Sequence, residues 1–351
     1  QFQKAVALYE NLHDRLSILS SFDHIKKDVD FLINKMRKIT RNLKEAIADK
    51  FKETNWLSEA QFLSGSVLTY LLRTLNEMTI EFDLVGKKAN LTYWREIDRF
   101  VASQYFEYSR RSTGCALFDV IHPMIAVKDD IQRDIETDED LKMFRRLIDG
   151  FVFNAYYAED VNSVSILAPT FFPALWRNSS DTALISFVVS LAHEILHPFI
   201  KSHTAKSSAV FRKEYECLSN YFNKSCAVWD QNDCSSGKQT FEEDAPDVEA
   251  LTVVYDLLRE VFTEEELEEI EYEELGITRE QAFFYAYGVR YCSGIHVHYL
   301  QPSGRHSNDT IRLNAAVSMV PGFTKAFGCQ PRDEEYSDWK SACFLFGPFS
   351  G

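Results

Sequence analysis

Apolar residues recur along the chain at two different rhythms. Ile25, Val29, Leu32, Ile33, Met36 and Ile39 follow intervals of mostly three and four. That is the signature of a helix with one buried face, and residues 1 to about 80 read as helices on this basis. Asn55-Trp-Leu-Ser58 opens a further segment, and Ile97, Phe100 and Val101 predict a helix over Trp94 to Tyr108. Near residue 150 the rhythm changes. Phe151 to Tyr157 and Ser163 to Leu167, separated by Ala-Glu-Asp-Val-Asn, read as two short strands around a polar turn, with Pro169 and Pro173 ending the second. Helices return over Gln239 to Phe262, Arg279 to Tyr287 and Phe323 to Phe327, with a loop carrying His296, His298, His306 and Arg312 before the last. The expected fold class is mainly α with a small β-sheet.

One stretch departs from simple amphipathicity. Residues 181–200 are apolar around most of a helix, through Leu184, Val188, Leu191, Ile195 and Leu196. Ser186, Ser190, His193 and His197 form a narrow polar stripe. A helix of this kind belongs inside a protein. His193 and His197 stand four apart with Glu194 between them, so both imidazoles lie on one face and can reach one metal ion. Two core histidines satisfied by hydrogen bonds would give the same pattern. Zinc needs a third protein ligand. Glu243 and Asp247 share a face at the expected start of the next long helix, where Pro246 is tolerated in a first turn. Glu243 could ligate directly while Asp247 accepts a hydrogen bond from a ligand histidine, or both could be carboxylates favoured by the helix dipole.

Composition narrows the setting. At 351 residues and 45% hydrophobic, the chain can bury a sizeable core. A net charge of −15 argues against a nucleic-acid or anionic-membrane surface, and the acidic run Thr263 to Glu274 reads as a solvated face. No apolar stretch approaches the roughly 18–20 residues that span a bilayer, and no signal peptide is visible. The chain opens on Gln1, so a fragment or processed product is expected. Seven cysteines, six of them after residue 215, and sequons at Asn90, Asn178, Asn223 and Asn308 favour an oxidising, extracellular or cell-surface setting.

Several stretches together resemble the neprilysin and endothelin-converting-enzyme family of zinc metallopeptidases. They are Asn154-Ala-Tyr-Tyr, His193-Glu-Ile-Leu-His197, Glu243-Asp-Ala-Pro-Asp247, Tyr291-Cys-Ser, His306 through Arg312, and Ala326-Phe-Gly-Cys329. The resemblance implies a zincin-type catalytic domain over 150–351, preceded over 1–149 by a partial helical region of a fold about twice this long. It implies one Zn2+ per chain held by His193, His197 and Glu243, with Asp247 orienting a ligand histidine and Glu194 as general base. Asn154 and the backbone of Ala155 would hold an extended peptide along a strand edge, His306 would stabilise the oxyanion, and Arg312 would bind a substrate carbonyl. It also implies a Cys226–Cys343 disulfide and leaves Cys292 and Cys329 without their usual partners. Cys217 and Cys234 could pair with each other.

The implied activity is a zinc-dependent metalloendopeptidase that hydrolyses short extracellular peptides through a metal-activated water. Membrane association would come only from a segment not in this chain. The chain also departs from the family. Pro198 follows the second histidine and predicts a frayed helix end there. Val248-Glu-Ala replaces Asn-Gly-Gly, and Phe346 stands where a C-terminal Trp is usual. Pro198, together with the missing helical half that normally walls the cleft, motivates an alternative, a catalytically silent relative that binds peptides or a partner protein. A helical protein with chance motifs would scatter His193, His197 and Glu243.

Overall fold

The computed structural model describes residues 26–54, 56–57, 61–62, 65–82, 154–167, 170, 181–201, 209–229, 237–291, 306–331 and 343–347, with single positions at 92, 95, 99 and 103. Most of the predicted Trp94–Tyr108 helix, the sequons at Asn90 and Asn178, His296, His298, Cys115, Cys234 and Cys292 lie outside the described residues. The chain divides into two compact units. One comprises Gln1–Leu32, Glu81–Asn154 and Ser165–Phe172; the other comprises Ile33–Ile80, Ala155–Val164 and Pro173–Gly351.

The long first helix, α1 (Lys26–Glu53), buries Met36, Leu43, Ile47 and Phe51, with Ile39 half-buried. The region after it is not purely helical. Two-residue strands β1 (Gln61–Phe62) and β2 (Gly65–Ser66) pair antiparallel, α2 (Val67–Glu77) follows, and Thr79–Phe82 forms β3. Strands this short carry too few residues for an alternating pattern to show. Ser66 caps α2 by accepting from the Thr69 N–H at 3.2 Å.

The predicted strand pair is present as β4 (Ala155–Ala158) and β5 (Ser163–Ile166), and the sheet order is β3-β5-β4. A short 3-10 turn over Glu159–Val161 and Asn162 in the left-handed region (φ 47°) reverse the chain. Asparagine tolerates that conformation better than most residues. The Asn162 side chain then donates to the Thr74 carbonyl at 2.9 Å, tying the turn to α2. This leaves β4 at the edge of the sheet, where it packs on the histidine helix.

That helix, α3 (Asp181–Lys201), is the centre of the second unit. Phe187, Val189, Leu191, Ala192, Ile195, Leu196, Phe199 and Ile200 are all buried. Its end is not frayed at His197. The helix runs one turn past Pro198, and Phe199 and Ile200 beyond it are fully buried. Their burial offsets the hydrogen bond that proline cannot donate. Helix α4 (Ala209–Trp229) follows, then α5 (Gly237–Val261), which packs more extensively on α3 than any other element does.

Here too the structure differs from the expected boundary. Helix α5 begins at Gly237, whose N–H donates to Asn223 Oδ1 at 2.7 Å, so Pro246 lies inside the helix rather than in its first turn. A Cβ on Gly237 would lie 2.2 Å from the Ser219 carbonyl oxygen, so only glycine fits this crossing of α4. The chain continues through α6 (Glu264–Glu268), the antiparallel pair β6 (Ile270–Tyr272) and β7 (Ile277–Thr278), and α7 (Arg279–Val289). Helices α8 (Asp309–Met319) and α9 (Pro321–Phe327) follow. Arg312 is thus on a helix, not in the expected loop. Asn308 caps α8 by accepting from the Thr310 N–H at 2.9 Å, which was the local signal for its start.

The family-implied Cys226–Cys343 pairing is not the one observed. Cys217 bonds to Cys343, with Cα atoms 5.7 Å apart, and this also removes Cys217 as a partner for Cys234. Cys217 and Cys226 both sit on α4. A disulfide gives each sulfur one partner, so Cys343 is not joined to Cys226. Segment 343–347 is held further by Trp56, whose Nε1 donates to the Leu345 carbonyl at 3.0 Å. Phe346, in the place of the family's Trp, packs against Phe51 with ring centroids 4.8 Å apart. Among the described residues no helix is long and apolar enough to cross a membrane.

Candidate metal centre

His193 and His197 are buried on one face of α3, with ring centroids 4.7 Å apart and planes at 90°. Glu243 comes from the second turn of α5, opposite them. Its Oε2 lies 3.4 Å from His193 Nε2 and 3.3 Å from His197 Nε2. The position excludes a helix-dipole explanation, because α5 begins six residues earlier and the dipole acts within about the first turn.

The three ligand atoms lie within 4.8 Å of one another. A tetrahedral zinc with bonds of about 2.0–2.1 Å sets its ligands about 3.3–3.4 Å apart, by geometry from those bond lengths. The two separations to Glu243 match that edge, and two imidazoles with one carboxylate is a donor set that zinc accepts. The residues present therefore fit the ion that the resemblance implies.

Asp247 sits one turn after Glu243 and is fully buried. Its Oδ1 lies 2.8 Å from His193 Nδ1, while Arg312 donates to it twice, Nε to Oδ2 at 2.6 Å and Nη2 to Oδ1 at 3.0 Å. The His193 approach is short but not straight along the ring N–H, so it acts as a charge contact that fixes the ring. Asp247 serves His193 alone: His197 Nδ1 is buried without a hydrogen-bond partner among the described residues.

Electrostatics follow the geometry. Burial alone would lower the His193 pKa, but the Asp247 charge and contacts to Asp247 and Glu243 more than offset it and raise it to about 9. Burial would raise Glu243, yet the three imidazoles around it hold it well below the usual carboxylate range. Asp247 is likewise buried and likewise depressed, chiefly by Arg312 and then His193.

Glu194 follows His193 on α3. Its Oε2 is 3.7 Å from His197 Nε2, and its side chain is 13% exposed, so it borders the cradle without joining it. His306 Nε2 is 3.2 Å from Glu243 Oε2, with its side chain one-third exposed. Arg312 is buried in its pair with Asp247 and stacks near the Tyr291 ring, 5.4 Å from the centroid. Ala155 is buried at the start of β4, and Asn154 just before it is exposed, its carbonyl accepting from the Leu167 N–H at 3.1 Å and the Thr170 hydroxyl at 2.6 Å.

Sequence reasoning passed over Asp244, Thr240 and Ser307, which are all buried beside the cradle. Asp244 is pushed up to about 7 by burial, partly relieved by hydrogen bonds from the Thr240 and Ser307 hydroxyls. The four-residue spacing of Thr240 and Asp244 was the available signal. Nothing local says that a carboxylate there is turned inward.

Comparison with known proteins bears on this arrangement. No curated protein sequence matches the chain. Solved structures do. The Haemonchus galactose-containing glycoprotein complex matches with TM-score 0.61 and 18% identity over 90% of this chain. The Mycobacterium tuberculosis zinc metalloprotease ZMP1 in its open state matches with TM-score 0.61 and 15% identity over 98%. PepO from Lactobacillus rhamnosis matches with TM-score 0.58 and 15% identity over 89%. The chain spans 50%, 52% and 46% of those chains, respectively, or about half their length. At such identities the likeness shows the fold, a mostly helical zincin type with small sheets. The model of peptidase family M13 matches residues 154–343, more than half of the chain. That span runs from the edge strand through all three candidate ligands to the disulfide, and on this ground the chain belongs to peptidase family M13.

Proposed function

We propose that this chain carries the catalytic centre of a zinc-dependent endopeptidase acting on short extracellular peptides. The observation that carries the reading is the convergence of His193, His197 and Glu243, from two helices, at the spacing of a tetrahedral ion. Bound there, zinc supplies Lewis-acid polarisation and lowers the pKa of water. His193 and His197 bind it through Nε2 and Glu243 through a carboxylate oxygen. Asp247 fixes the His193 ring and is itself fixed by Arg312.

Glu194 is the general base. Its carboxylate borders the ligand cluster and takes a proton from the attacking water, then returns it to the leaving amine. His306, beside Glu243 and partly exposed, is the donor to the developing oxyanion. Arg312 has two of its N–H groups committed to Asp247, which leaves the rest of the guanidinium to meet a substrate carbonyl. An extended peptide would lie along the edge strand β4, next to α3, with Asn154 and the Ala155 backbone as its contacts. The Cys217–Cys343 disulfide supports an oxidising, extracellular compartment.

The test is metal content and cleavage of a quenched peptide by the longest natural form. About one zinc per chain and chelator-sensitive cleavage are expected. Glu194→Gln should keep the metal and lose on the order of 10²–10⁴-fold in kcat. Unchanged cleavage by that variant would remove Glu194 as base. Bound zinc with no cleavage of any peptide would favour the silent, peptide- or partner-binding alternative.

A further inference from the structure

Residues 306 to 312 meet α5 at three successive rungs. His306 contacts Glu243, Ser307 contacts Asp244, and Arg312 contacts Asp247. The first and third involve groups already assigned. The middle one is a closed hydroxyl–carboxylate cluster with no part in the chemistry. Ser307 Oγ donates to Asp244 Oδ2 at 2.8 Å, and Thr240 Oγ1 donates to the same oxygen at 2.6 Å. The two hydroxyls lie 3.2 Å apart. All three side chains are buried, and the other Asp244 oxygen, Oδ1, is buried with no hydrogen-bond partner among the described residues.

This placement is costly on its own terms. A buried carboxylate that uses only one oxygen forgoes half of its hydrogen-bonding capacity, and an apolar residue would avoid the penalty. What it provides is position. His306 is the residue before Ser307, and Glu243 is the residue before Asp244. Locking Ser307 to Asp244 therefore fixes the backbone that carries His306 directly opposite Glu243. His306 itself is one-third exposed, and among the described residues its contact is Glu243 at 3.2 Å.

We infer that Asp244, braced by Thr240 one turn earlier, is a positioning residue that aims His306 by anchoring Ser307. The inference rests on the role assigned to His306 above, but the anchoring can be read without any turnover. The experiment uses the whole metal-free chain with ring-labelled histidine. The His306 signal is assigned by its loss in His306→Gln, and its ring shifts are followed in variants. Ser307→Ala and Asp244→Ala should both move the His306 ring signal toward that of a solvent-exposed histidine and leave His193 and His197 where they were. Asp244→Asn keeps an oxygen for both hydroxyls and adds a donor in place of the unpartnered Oδ1, so it should restore the wild-type signal.

An unmoved His306 signal in Ser307→Ala overturns the inference, whatever the enzyme's activity. An Asp244→Asn signal as displaced as that of Asp244→Ala also overturns it, because charge rather than anchoring would then hold the loop. If Asp244→Ala does not fold, Ser307→Ala and Asp244→Asn decide alone. In the zinc-loaded chain, Ser307→Ala should lower kcat by about 10²-fold with little change in KM, as a misplaced donor does. Adding it to His306→Gln should cost nothing more. Absent cleavage by the wild type with a displaced His306 signal in Ser307→Ala would retire the peptidase reading and leave the anchoring intact.

Discussion

Asp247 and Glu249 are two residues apart on α5, both fully buried, and the protein treats them in opposite ways. Positions two apart on a helix point about 200° from one another, so they face different neighbours. Asp247 faces the metal cradle, where Arg312 and His193 hold it ionised, far below its ordinary range. Glu249 faces the C-terminal segment. Burial pushes it up to about 7, against weaker lowering by the Lys50 charge and by the N–H groups of Leu345 and Phe346, with the Glu214 charge adding a small push upward. The Leu345 N–H donates to Oε1 at 2.6 Å, while Oε2 has no hydrogen-bond partner among the described residues. Equal burial goes with opposite shifts, so the partner and not the depth decides. At one face a carboxylate is kept charged to hold a histidine. At the other a carboxyl group with a raised pKa clasps the Leu345 N–H.

The contrast is broken most directly at Asp247. Asp247→Ala should destabilise the chain by about 3–5 kcal/mol, because it strands a buried guanidinium and His193 without their counter-charge. Chemical denaturation reads this, and a loss under about 1 kcal/mol would mean that the pair holds nothing together. Next comes the clasp's outer fastening. Cys217→Ser should cost about 2–4 kcal/mol, since its disulfide joins positions 126 residues apart and docks the segment that Glu249 binds. Peptide mapping under non-reducing conditions should recover Cys217 with Cys343; recovery of Cys226 with Cys343 would overturn the observed pairing.

The smallest effect sharpens the comparison at Glu249. A carboxyl group whose folded pKa is raised to about 7 from 4.5 binds a proton in the native state that the unfolded state has lost. Its contribution is full below pH 4.5 and is lost as pH rises through about 7, by roughly 3 kcal/mol in all. Glu249→Gln keeps the acceptor for Leu345 and removes the titration. Its stability should therefore be flatter than wild type across that window, and an identical pH slope would show that Glu249 is ionised in the fold.

Much of the cradle was legible before any coordinates. His193 and His197 share a face because a helix repeats every 3.6 residues, and an apolar circumference says that the face is buried. The strand pair at 155–166 and the helices through 237–261 and 279–289 followed from periodicity within a few residues. Helix ends were harder. Pro198 read as a helix end and Pro246 as a first-turn residue, yet both lie inside helices whose flanking residues are buried, and that burial belongs to the neighbours rather than to the local chain. Arg312 read as a loop residue, although Asn308, which caps the start of α8, was a local signal for the helix.

What the amino-acid order determined alone is therefore local: which side chains one helix can present together, and that α3 must be interior. Only the packed structure decided what meets that face. Glu243 reaches the histidines because α5 crosses α3, Asp247 chooses His193 over His197, Cys217 rather than Cys226 meets Cys343, and Ser307 finds Asp244. Each of these depends on how elements distant in sequence pack against one another. That packing is set by many small apolar contacts summed over an interface, and no short stretch of sequence contains it.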